Sequence, residues 1–284
     1  MKRAAANGAR PGTGFTLIEV VLTLVVVAIL GGTVMLFLSG PVRGYMQTRR
    51  RAALVAAAGT ALAQMARDIH AALPNSIRTT QAGGVEALEL IHVLAGGRYR
   101  AGPGGAYTAG GDILQFNRPD ADFNIEGHLG LPGYPYTSST DRLVIYNVGV
   151  PGADAYANAN VITPAGDTLT ITEPGSEDHV HLATAFQFAY RSPGQRIYLV
   201  DTPVSWLCDP TAGTLRRYSG YPIGSVQPVD PSRGNLAAAR VSACGFQYQP
   251  GTASRAGLVT LSLTLTDRGE SVRLLQQVHV LNVP

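Results

Sequence analysis

The sequence predicts an α+β protein: a long N-terminal helix, first apolar and then amphipathic, followed by an antiparallel β-rich domain. Three observations predict it. A run of 24 residues, 15–38, carries one charge, Glu19, and an apolar stripe with helical spacing continues from there to Leu73. From Ser76 the hydrophobic period turns toward two, in a chain where Gly and Pro make up 51 of 284 residues. That share exceeds the average of roughly 12% and favours short strands joined by turns over a helical bundle.

The run FTLIEVVLTLVVVAILGGTVMLFL would extend about 36 Å as a helix, enough to cross a hydrocarbon core of about 30 Å with some tilt. It is longer than the apolar stretch of a secretory signal, roughly 7–15 residues, and no small-x-small cleavage site follows it, so the helix is expected to be retained. Lys2, Arg3 and Arg10 precede it and Arg43, Arg49, Arg50 and Arg51 follow it, which leaves the positive-inside rule nearly silent. Arg49 to Arg51 read as a headgroup or filament contact, or as a solvated juxtamembrane patch.

Beyond Pro41, Leu54, Ala58, Leu62, Met65, Ile69 and Leu73 recur at spacings of three and four, one stripe down a helix ended by Pro74-Asn75. The stripe is expected to pack on the C-terminal sheet. The organisation is therefore a basic N-terminal segment, 1–14, whose reading as a leader rests on the resemblance described below, then a 15–38 transmembrane helix, a 39–73 amphipathic continuation and a 74–284 β-rich head.

Within the head, strands are predicted at 86–94, 112–117, 142–148 and 168–172. Turn chemistry predicts three hairpins: 184–190 with 196–201 across Ser-Pro-Gly-Gln, 204–208 with 214–218 across Asp-Pro-Thr-Ala-Gly, and 258–266 with 271–281 across Asp-Arg-Gly-Glu. Residues 95–111 and 149–160, rich in Gly, Ala and Pro without a period, read as loops.

Charge and composition exclude several functions. The net charge of +3 resides in the leader, and from Ala52 onward 15 arginines face 18 carboxylates, so the bulk of the chain offers a nucleic acid no general attraction. Lys2 is the only lysine, which removes a Walker-type phosphate loop and a Schiff-base lysine from the rest of the chain. No Gly-x-Ser-x-Gly, His-Glu-x-x-His or Cys-x-x-Cys is present, so no catalytic residue and no cofactor is expected. Cys208 and Cys244 are the only cysteines, spaced for neither a redox nor a zinc motif. An even pair predicts a disulfide formed outside the cytoplasm, with two buried thiols as the alternative.

Two patterns approach a metal site without completing it. Asp120, Asp122, Asn124 and Glu126 alternate like the start of a calcium loop, but Ile125 stands at the glycine position and Leu131 at the bidentate glutamate position. A polar strand face or turn is the better reading. His179 and His181 would share one side of a strand with no third ligand evident nearby, so no metal site is predicted. Trp206 and the tyrosines are expected in the core rather than on a glycan-binding surface.

Glu19 is the informative oddity, because a carboxylate five residues into an apolar run costs a few kcal/mol unless it finds a cation or the interface. A new α-amine at Phe15, made by cutting after Gly14, would supply one, from the same molecule or a neighbour. The segment Gly14-Phe15-Thr16-Leu17-Ile18-Glu19, behind a short basic leader and ahead of an apolar helix, resembles the class III signal of type IV prepilins and pseudopilins. The resemblance implies a pilin-like fold, cleavage between Gly14 and Phe15 by a prepilin peptidase, N-methylation of Phe15 by the same enzyme, and an assembly role for Glu19. It also implies partners: other major and minor pilins and the assembly platform of the bacterial inner membrane, with the head in the periplasm. Pro41 departs in detail, lying several residues later than the helix-breaking residue of many pilins.

Further words, Arg50-Arg51-Ala52-Ala53-Leu54-Val55, Met65-Ala66-Arg67-Asp68, Tyr198-Leu199-Val200-Asp201-Thr202-Pro203-Val204 and Gln277-Val278-His279-Val280-Leu281-Asn282-Val283-Pro284, are similar to minor pilins of the MshO type in mannose-sensitive haemagglutinin (MSHA) pilus biogenesis. J-type pseudopilins of type II secretion and W-type minor pilins remain alternatives. A role in priming or capping a filament follows from that likeness. Two other readings of the same stalk stay open, a pilus-tip adhesin and a membrane-anchored hydrolase.

Overall fold

The computed structural model describes residues 14–103, 112–251 and 256–280, and the leader before Gly14 lies outside them. The chain divides into two compact units, Met1–Ala52 and Ala53–Pro284. One helix, α1, runs over Leu17–His70 with Pro41 in its interior. Proline brings no amide hydrogen to the helical ladder and crowds the carbonyl four residues back, so helix continuity here rests on the turns either side.

In the first unit the apolar residues of α1 whose side chains are described are exposed, and α1 is long and apolar enough to cross a membrane. The hydroxyls inside the span are satisfied within the helix: Thr23 donates to the Val20 carbonyl at 2.9 Å and Thr33 to the Leu30 carbonyl at 2.9 Å. In hydrocarbon, where water cannot serve, such local bonds let a threonine be buried without an orphaned donor.

In the second unit the strands are β1 (Arg78–Ala82), β2 (Val85–Tyr99), β3 (Asp120–Glu126), β4 (Tyr136–Ser138), β5 (Arg142–Val144), β6 (Leu169–Thr172), β7 (Asp178–Phe186), β8 (Arg196–Asp209), β9 (Thr214–Ser219), β10 (Asn235–Ala239), β11 (Val241–Gln249), β12 (Leu258–Asp267) and β13 (Glu270–His279). A ten-stranded sheet runs β10-β9-β8-β2-β3-β7-β6-β4, with β1 beside β2 and β5 beside β8, and a three-stranded sheet runs β11-β12-β13. All pairings are antiparallel. The helix and the two sheets confirm the α+β expectation at that level.

The stripe lies where its spacing placed it. Leu54, Ala58, Leu62, Met65 and Ile69 are buried in one cluster with Leu88 and Leu90 of β2, Val204 and Trp206 of β8, and Val259, Leu261, Leu263 and Leu265 of β12. A second cluster around Phe123, Ile125, Val180 and Phe188 fills the far part of the large sheet. The helix stops three residues before the expected end at Leu73, because the next residues bond to β2: Leu73 N donates to the Ile91 carbonyl at 2.8 Å and Val93 N to the Ala71 carbonyl at 2.9 Å.

Several strand expectations are corrected. Residues 196–201 and 204–208 are one strand, β8, whose Pro203 sits opposite Ile91 beside register shifts in β2. At such irregularities the sheet tolerates a residue without an amide donor. Residues 184–190 make no hairpin with 196–201, since β7 pairs with β3 and β6. Residues 112–117 form no strand; Leu114 N donates to the Arg100 carbonyl and Asn124 N to the Asp112 carbonyl, isolated bonds rather than a ladder. Residues 95–99, read as loop, continue β2. The β8–β9 and β12–β13 hairpins form as expected, the latter around Arg268 and Gly269 with φ of 48° and 87°. Those angles are the left-handed pair that a two-residue turn between twisted strands requires.

Candidate functional site

The site begins one residue ahead of α1. Thr16 is its N-cap: its carbonyl accepts from Glu19 N at 3.1 Å and Val20 N at 3.2 Å, and its hydroxyl oxygen accepts from Glu19 N at 3.4 Å. Thr-x-x-Glu is the sequence form of a capping box, a signal the sequence carried and the charge argument passed over. Only half of the box forms here. The Glu19 carboxylate has no hydrogen-bond or ion-pair partner among the described residues.

Thr16 therefore starts the helix, while Glu19 contributes a negative charge to the first turn, where the exposed amides already favour one. Gly14 is exposed and Phe15 is 77% exposed, so the Gly14–Phe15 peptide is open to an enzyme. Leu17 at 85% and Ile18 at 76% flank Glu19 with apolar surface that none of the described residues covers. Glu19 is itself exposed.

Cys208 on β8 and Cys244 on β11 are bonded, with Cα atoms 6.6 Å apart, and join the ten-stranded sheet to the three-stranded one. Closing a loop of 36-residue separation stabilises by about 4 kcal/mol in the chain-entropy model.

The alternating carboxylates occupy β3, where every second residue faces the same way, so their oxygens line a surface instead of wrapping an ion. Asp122 lies opposite His181 and Asn124 opposite His179. His181 Nδ1 is 2.7 Å from Asp122 Oδ1, and His179 Nδ1 is 2.8 Å from Asn124 Oδ1. The His181 hydrogen bond, seconded by His179, holds the Asp122 carboxyl below the usual range. Among the described residues no group of three or more His, Cys, Asp or Glu is placed to hold a metal ion.

Sequence reasoning missed Asp68. It is buried at the side of the apolar stripe and accepts from Trp206 Nε1 at 2.9 Å, from Arg217 Nε at 2.8 Å and from Arg217 Nη2 at 3.0 Å. A carboxylate within a helix of small and apolar residues was the available signal. Trp206 itself is fully buried, as expected for a core residue. No family model, no curated protein and no solved structure matches the chain.

Proposed function

We propose that the chain is a non-enzymatic minor pilin or pseudopilin, a subunit of type IV pilus assembly, with MSHA-type pilus biogenesis as the system it serves. One observation carries the reading. An accessible Gly14–Phe15 bond stands directly ahead of a capped, exposed apolar helix whose first-turn carboxylate, Glu19, has no partner among the described residues. Hydrolysis after Gly14 by a prepilin peptidase creates an α-amine at Phe15, and N-methylation preserves its positive charge. That amine, on this subunit or its neighbour, neutralises Glu19 as helices pack side by side in a filament.

On this reading the protein resides in the inner membrane with the head in the periplasm, where the Cys208–Cys244 bond is stable. Its partners are the peptidase, other pilins and the assembly platform, and nucleic acid is not among them. Intact mass and N-terminal sequencing of protein expressed with and without the cognate peptidase test it. A product starting at methylated Phe15 only when the peptidase is present supports the proposal, and an uncut or differently cut chain beside an active peptidase overturns it. Deletion then sorts the alternatives. Loss of pili supports an assembly subunit, intact pili without adhesion supports a tip adhesin, and loss of secretion with pili intact supports a J-type pseudopilin.

A further inference from the structure

Between Glu19 and Asp68 the chain contains no carboxylate, yet Arg43, Arg49, Arg50 and Arg51 lie in that interval. Arg43, Arg49 and Arg51 are exposed and Arg50 is half-buried, and none of the four guanidinium groups has a hydrogen-bond or ion-pair partner among the described residues. Tyr45, 66% exposed, stands two residues beyond Arg43. Tyrosine beside a cation just past an apolar span is the composition of a membrane–water interface.

The heights agree. At the helical rise, Arg43 lies about 7.5 Å along the axis from Leu38, and Arg49 to Arg51 lie about 16–20 Å from it. The headgroup layer is roughly 5–8 Å thick per leaflet, which places Arg43 inside it. Helical side chains lean toward the N-terminus, here toward the bilayer, and any tilt lowers them further. That brings the Arg49 to Arg51 charges to within about one Debye length, roughly 8 Å, of the headgroups.

The angular spread identifies the partner. At about 100° per residue, Arg49, Arg50 and Arg51 fan over about 200° of the helix circumference, with Arg43 on the same side as Arg50. One protein surface touches one face of a helix, whereas a lipid annulus meets every side. We propose that Arg43, Arg49, Arg50 and Arg51 form a collar that binds the phosphates of acidic phospholipids in the leaflet through which α1 leaves the membrane. The inference rests on the membrane-spanning reading of α1.

The test uses the full chain reconstituted in phosphatidylcholine vesicles containing a minority of phosphatidylglycerol, then cut out in polymer-bounded discs whose lipids are quantified. A basic residue near an anionic surface gains roughly fivefold in local attraction, so the discs should hold at least about a twofold excess of phosphatidylglycerol at low salt. The excess should vanish at high salt and fall in the R43Q/R49Q/R50Q/R51Q variant by more than in K2Q/R3Q/R10Q. A wild-type ratio equal to that of the vesicles overturns the collar and points to a protein partner. So does an excess that the quadruple substitution leaves undiminished. Release of the wild-type chain from vesicles by alkaline carbonate is a different failure, that of the spanning helix itself.

Discussion

Replacing Asp68 with Ala should weaken the packing of α1 against the head by about 2–4 kcal/mol. The figure has two parts. Trp206 Nε1 is fully buried and would lose its only acceptor, at a cost of about 1–2 kcal/mol. Arg217 would lose two bonds to the same carboxylate, but its side chain is 28% exposed and regains water. It therefore costs about 1–2 kcal/mol, not the 3–5 kcal/mol typical of a fully buried charge left unpaired. Trp206 is the only tryptophan, so its emission reports this contact in urea titrations of the full chain in detergent. With an m-value of about 2–3 kcal/mol per molar urea, the midpoint should fall by about 1 M. Asp68→Asn keeps an acceptor for the indole and should lose less. A midpoint for Asp68→Ala within about 0.2 M of wild type would refute the anchoring argument.

Three further outcomes are expected. Glu19→Ala should abolish or impair filament incorporation while leaving the helix start and Trp206 emission unchanged, because Thr16 supplies the cap; normal incorporation would remove Glu19 from the docking scheme. Cys208→Ser with Cys244→Ser should lower stability by about 4 kcal/mol, and unlinked Cys208 and Cys244 peptides in a non-reducing map of the wild type would show that the bond does not form. The hydrogen bond between His92 Nδ1 and Asp201, at 2.9 Å, raises the imidazole above its ordinary 6.5. Because the folded value is the higher one, its stabilisation is complete below about pH 6.5 and is lost as pH rises through the folded value. The NMR midpoint of His92 should drop in Asp201→Asn, and an unmoved midpoint counts against the pairing.

The features legible in sequence were those set by local periodicity. Leu54 to Ile69 announce their face by spacing alone, and Asp-Arg-Gly-Glu announces its hairpin because few turns accept that chemistry. What escaped was decided at long range. Pro203 looks like a strand end, yet irregularities in the partner strand let β8 run through it. The segment 184–190 looks like half of a hairpin, yet β7 finds better partners in β3 and β6. At the candidate site, Gly14, Phe15 and Glu19 are proposed from motif and charge. The division of labour between the Thr16 hydroxyl and the Glu19 carboxylate needed coordinates, since a capping box can form wholly or by half.

The burial of the stripe against β12 also sets a timetable for synthesis. Leu54 to Ile69 emerge early, whereas their partners Val259 to Leu265 follow about 200 residues later. At roughly 5–20 residues per second, that interval is about 10–40 s, during which the stripe has no strand from the C-terminal sheet to cover it. Disulfide closure waits on the same event, because Cys244 belongs to the late-made sheet that covers the stripe. The newborn chain must therefore be kept from self-association by lipid, by a chaperone or by its own translocation, and a released chain truncated before residue 258 should present a sticky helix that the full chain does not.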